Sequence, residues 1–178
     1  DKAATIYLSS TAHADKGNNE IIKAWAPSNL GAVYLATNNL DSSLMYSQRA
    51  YEIFVRLKII DNNSGYLFTN LGGVHSKLGN AQLAVSYFNT AITKNQSSSN
   101  IRYLNLLYNG LAEHYQRFNQ TDSCAFYAKK AIAAVNNTSF FYLSSKPAKL
   151  LTDIYEKTNC DSTLKYAKVL KTANDSLT

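Results

Sequence analysis

The sequence predicts an all-α fold built from repeated antiparallel helix pairs. Three observations carry that prediction. Only two Pro and seven Gly occur in 178 residues, too few for a fold of many tight turns. Apolar residues recur at spacings of three and four, as on one face of a helix. And the chain resembles itself at a period of about 40 residues. With 46% apolar and 17% charged residues there is enough hydrophobic material for a packed core.

The repeat is clearest at Asn29-Leu30-Gly31-Ala32-Val33-Tyr34, which returns as Asn70-Leu71-Gly72-Gly73-Val74-His75. Weaker copies are Leu111-Ala112-Glu113-His114-Tyr115 and Leu151-Thr152-Asp153-Ile154-Tyr155. A second element follows each. Asp41-Ser42-Ser43-Leu44-Met45-Tyr46 is echoed by Asp122-Ser123-Cys124-Ala125-Phe126-Tyr127 and by Asp161-Ser162-Thr163-Leu164-Lys165-Tyr166. Its remaining copy is Asn80-Ala81-Gln82-Leu83-Ala84-Val85-Ser86-Tyr87.

Short polar breaks separate the two elements: Thr37-Asn38-Asn39, Leu78-Gly79-Asn80, Asn119-Gln120-Thr121 and Thr158-Asn159-Cys160. Gly and Asn tolerate the left-handed residue that ends a helix, and Asp or Ser just beyond suits the next N-cap. Each unit therefore reads as helix A, a tight turn and helix B. The expected organisation over 1–178 is a leading helix at 2–14 and repeats at about 24–58, 64–95, 101–136 and 145–175. Within these, pairs fall near 24–38 with 41–58, 64–78 with 81–94, 101–118 with 121–136, and 145–158 with 161–174. Pro27 and Pro147 are placed in the first turns of A helices, where a missing N–H costs nothing.

Small residues repeat as faithfully as large ones. Gly31 and Gly72, with Ala112 as counterpart, stand mid-helix, where Gly costs about 1 kcal/mol against Ala. Close approach of helix A to helix B accounts for them, with Ser43, Ala84, Cys124 and Thr163 facing them. Tyr34, Tyr46, Phe88, Tyr115 and Tyr155 then fill the layers between.

The pattern resembles the tetratricopeptide repeat family, whose unit has Leu-Gly and an aromatic on helix A, a Gly at the turn, then Ala, aromatic and Ala on helix B. Leu71-Gly72, Gly79, Ala84, Phe88 and Ala91 match it, and His75 departs at the first aromatic. The first unit departs at Ser43 and Ser47, and the fourth has Thr152 for Gly and one residue fewer between its helices. The resemblance implies a right-handed superhelix, an α-solenoid of about four repeats plus one leading helix. The wording of the repeat in an Asn/Ser/Lys-rich chain is similar to the repeat regions of Bacteroidetes signalling proteins. That implies an extracytoplasmic (periplasmic) sensory or scaffolding region of a histidine kinase or related two-component protein, with a cytoplasmic location as the alternative.

In such stacks helices A line the concave face. A-helix positions outside the packing stripe give the candidate binding residues Trp25, Asn29, Tyr66, Asn70, Lys77, Glu113, Arg117, Asp153 and Lys157. Asn29 with Asn70 could bracket a peptide backbone, and Lys77, Arg117 and Lys157 would form a positive ladder one repeat apart. The plain alternative is that these side chains solvate the face.

The net charge of +6 is scattered, with Lys129-Lys130 the only adjacent basic pair, so nucleic acid is not an expected partner. No apolar run is long enough for membrane insertion. Cys124 and Cys160 form no metal-ligand pattern and read as two separate buried thiols, a disulfide being the alternative. His75 reads as a packing residue, while His13 and His114 have no ligand-spaced partner. No catalytic order, phosphate loop or paired carboxylates occur. The expected function is a non-enzymatic protein- or peptide-interaction module without metal or cofactor. The alternatives are a small-ligand sensor beside Trp25 and Tyr66, or a structural segment that forms a homodimer.

Overall fold

The computed structural model describes residues 5, 6, 8, 9, 13, 17, 20–60, 64–95 and 100–176. The leading helix expected at 2–14 lies largely outside the described residues. Among the described residues regular structure is helical: α1 (Glu20–Ala36), α2 (Leu40–Arg56), α3 (Gly65–Lys77), α4 (Ala81–Asn95), α5 (Ile101–Arg117), α6 (Thr121–Val135), a 3-10 turn at Phe141–Ser144, α7 (Ser145–Tyr155) and α8 (Cys160–Asp175). These group into two compact units, Asp1–Ser98 and Ser99–Thr178. In the first, α1 pairs with α2, α3 with α4, and α2 packs on α3. In the second, α5 pairs with α6, α7 with α8, and α6 packs on α7.

The turns follow from their asparagines and one glycine. Asn38, Gly79 and Asn119 adopt left-handed backbone with φ of 61°, 84° and 56°. The chain then reverses, and the next amide donates back to the preceding helix: Asn39 N to Tyr34 O at 2.9 Å, Asn80 N to His75 O at 2.9 Å, Gln120 N to Tyr115 O at 2.8 Å. The fourth turn is one residue shorter, and Asn159 N donates to Tyr155 O at 2.9 Å. In the first and fourth turns the cap is the asparagine rather than the Asp or Ser beyond it. Asn39 Oδ1 accepts from Ser42 N and Asn159 Oδ1 from Ser162 N, at 3.2 and 2.9 Å.

Each of those four carbonyls belongs to a ring that stacks on helix B. Tyr34 lies on Tyr46, His75 on Tyr87, Tyr115 on Tyr127 and Tyr155 on Tyr166, at centroid separations of 5.6, 5.4, 5.5 and 5.9 Å. The planes are within 14° of parallel. Stacked pairs contribute about 0.5–1.5 kcal/mol beyond their burial, so the repeat places one such latch beside every turn.

Gly31 and Gly72 sit where the helices close. A Cβ at Gly72 would fall 2.8 Å from the Phe88 ring. At Gly31 it would meet Ser47 Oγ and come within 3.3 Å of the Ser43 carbonyl. The departure from Ala at Ser43 also has a reason, because its hydroxyl donates to Gly31 O at 2.9 Å. One expectation is corrected. Helix α1 begins at Glu20, so Pro27 lies in its interior rather than its first turn. The chain runs helically through it, and the Lys23 carbonyl lacks the amide it would otherwise accept from. Pro147 does fall in the first turn of α7.

His75 is 7% exposed, and Asn80 Nδ2 lies 3.3 Å from its Nδ1, an arrangement suited to the neutral ring. Burial lowers its pKa from the usual 6.5. His114, 2% exposed between the Tyr115 and Phe118 rings, is lowered by burial and then by the Arg117 charge. In both cases the unfolded chain binds protons before the folded one does. Their contribution is therefore complete above pH 6.5 and is lost as pH falls through the depressed folded values. We expect the melting temperature to drop on acidification from neutrality, before the carboxylates titrate. His75→Tyr should flatten the response of the first unit. A flat profile in the wild-type chain would contradict this.

Candidate functional site

The two units treat the space between successive A helices differently. In the first, α1 and α3 close on each other. Gly73 permits this, since a Cβ there would sit 2.7 Å from Leu35 Cδ2. Lys77 Nζ then donates to Leu35 O at 3.0 Å and Asn38 Oδ1 at 3.2 Å, placing its charge on the C-terminal carbonyls of α1. Asn70 is 2% exposed and its Nδ2 donates to Ser28 O at 3.4 Å. Thus Asn70 and Lys77 join helices within this unit, and Asn70 is too deep to bracket a peptide with Asn29, which is half-buried. Trp25 meets Phe54 edge to face at 4.9 Å, as a packing residue over the first layer. Tyr66 is half-buried on α3.

The second unit leaves a groove of about 710 Å³ between α5 and α7. Glu113, Gln116 and Arg117 line one wall, and Ser145, Lys146, Lys149, Leu150 and Asp153 the other. The repeat explains the contrast. The position held by Gly73 in α3 is held by Asp153 in α7, and that of Leu35 in α1 by Gln116 in α5. A charged side chain stands where the first unit needs none.

The groove's charges are unevenly matched. Lys146 Nζ reaches across to Glu113 Oε1 at 3.5 Å, and Lys149 pairs with Asp153 one turn along α7 at 3.2 Å. All four side chains are 45% exposed or more, so each pair contributes about 0–1 kcal/mol and yields readily to a competitor. Arg117 is exposed and has no ion pair among the described residues. Three cations therefore face two carboxylates. An incoming carboxylate would find one free guanidinium and two loosely engaged ammonium groups.

Of the expected binding residues the structure brings together Glu113, Arg117 and Asp153. Lys157 is exposed beyond the end of α7 and does not line the groove. Lys146 was missed. Its signal was in the spacing, since 146, 149 and 153 share one face of α7. Among the described residues no cluster of His, Cys, Asp and Glu could hold a metal ion. Cys124 is buried, its thiol pKa raised by burial, whereas Cys160 is exposed, which corrects the expectation of two buried thiols. Both are free.

Residues 20–97 match the family model described as tetratricopeptide repeat. Among solved structures the chain is similar to the one titled "Crystal structure of BtubC (BKLC) from P. vanneervenii". The two are 16% identical, the likeness covers 99% of this chain and 72% of that one, and the TM-score is 0.71. At that identity the likeness bears on the fold, a stack of helix pairs. No curated protein sequence matches.

Proposed function

With residues 20–97 belonging to the tetratricopeptide repeat family, we propose that this chain is a non-enzymatic module that binds an extended peptide carrying acidic groups. Such repeats are generally protein-interaction modules. The observation that carries this reading is Arg117, without an ion pair among the described residues, in a groove whose other charges are weakly engaged. We place the module in an extracytoplasmic sensory or scaffolding region of a bacterial two-component-type protein. That context rests on the wording of the repeats, and a membrane helix and kinase in the neighbouring sequence would support it.

The test is fluorescence anisotropy with labelled Glu-rich, neutral and Lys-rich peptides of equal length. The Glu-rich peptide should bind tightest and weaken with salt. Arg117→Ala should raise its Kd about 5- to 30-fold, the 1–2 kcal/mol of a central arginine anchor. Equal binding of the three peptides, or an unchanged Kd in the variant, would sink the reading.

A further inference from the structure

The outward faces of α6 and α8 collect lysine. Lys129 and Lys130 on α6 and Lys165, Lys168 and Lys171 on α8 are all exposed. None forms an ion pair among the described residues. The acidic groups on these faces stand at the ends: Asp122 and Asp161 in the first turns, and Asp175 at the end of α8. Two large apolar side chains protrude among the lysines, Phe126 at 53% and Leu164 at 56% exposure.

Aromatic rings join the two helices into one surface. Lys129 Nζ donates to Tyr155 Oη at 2.9 Å and lies 5.4 Å from the centre of that ring. Tyr155 stacks on Tyr166, and Lys165 Nζ lies 5.5 Å from the Tyr166 ring. Lys130 sits 4.7 Å over Phe126 and 5.4 Å from the Tyr108 ring. The first unit's B helices carry no such set: α2 exposes Asp41, Glu52 and Arg56, and α4 exposes Gln82, Ser86, Asn89 and Thr93.

We propose that this lysine face docks the chain onto an anionic lipid bilayer, at the surface and without crossing it. Charge complementarity chooses the occupant. All five cations are Lys, compact charges without the guanidinium fork that reads phosphate geometry, so they suit a diffuse negative surface. Lysines flanking an exposed Phe and Leu on helix faces form the pattern that rests at a headgroup boundary. Nucleic acid fits less well, because Tyr115, Tyr127, Tyr155 and Tyr166 are stacked on one another and offer bases no platform. Among the described residues no helix is long and apolar enough to span a membrane.

The experiment is co-sedimentation of the full chain with phosphatidylcholine vesicles, with and without phosphatidylglycerol, at low and high salt. The chain should pellet with the anionic vesicles only, and less at high salt. Each lysine near such a surface is worth about 1 kcal/mol, or fivefold. Lys129→Gln/Lys165→Gln/Lys168→Gln should therefore weaken partitioning about 100-fold. Circular dichroism checks that the variant is folded, and it should keep wild-type affinity for the Glu-rich peptide, which separates this face from the groove. Phe126→Ser should weaken partitioning without changing its salt dependence. Equal pelleting with neutral vesicles, no pelleting with anionic ones, or an unchanged triple variant overturns the proposal. So does poly(U) binding that needs the same lysines when the vesicles are not bound.

Discussion

Phe88→Ala is expected to destabilise the first unit by about 3–5 kcal/mol, and Gly72→Leu by about 1–3 kcal/mol. Phe88 is fully buried on α4, so truncation leaves a cavity that the surrounding helices cannot close. Gly72 on α3 is its counterpart. Any Cβ there falls 2.8–3.0 Å from three carbons of the Phe88 ring, and a ring with no exposure has nowhere to swing. The two losses share one volume. The double variant should therefore cost less than the sum, by about 0.5–3 kcal/mol, because Leu occupies space the ring has vacated. Thermal or urea unfolding of the four proteins measures this. A Tm shift in Gly72→Leu below about 2 °C, the low end expected per kcal/mol for a chain of this size, would remove the close-approach argument. So would strict additivity.

Leu151→Ala is the second large effect, about 2–5 kcal/mol in the second unit. Leu151 is fully buried in a cluster with Ala112, Cys124, Ala125, Ala128 and Tyr166. Stacked repeats are stabilised mainly by their neighbours, so loosening the last hairpin exposes the one before it. Cys124 makes this visible, as a buried thiol within the same cluster. In the wild-type chain a thiol reagent should label Cys160 at once and Cys124 only through opening of the unit. In Leu151→Ala, Cys124 should react roughly 30-fold faster or more, following the increased population of the open state. Immediate labelling of both cysteines in the wild-type chain would contradict the burial. An unchanged Cys124 rate in the variant would contradict the coupling.

Helix pairing was legible because it rests on local rules. A left-handed Asn or Gly ends each of the first three A helices, about 40 residues apart. The ring at the last carbonyl returns 12 residues later on helix B, or 11 in the fourth unit, where the turn is one residue shorter. The start of α1 was less legible. An interior proline looks like a first-turn proline when read from periodicity alone, and burial of Pro27 among neighbours outweighs its missing hydrogen bond. The binding residues were legible only as a set of A-helix positions. Lys77 and Arg117 are equivalent in the repeat, yet one is tied to Leu35 O and the other has no ion pair among the described residues.

By itself the sequence determined the class of fold, the helix pairs and the rings and glycines that join them, because these depend on spacing within about 20 residues. Only the tertiary structure decided where a ligand could enter. That turns on whether two A helices about 40 residues apart close, as at Gly73, or stand off, as at Asp153. It also decided that lysines scattered along the chain gather on the outer faces of α6 and α8, since a face shared by two helices exists only once their rings have locked them together.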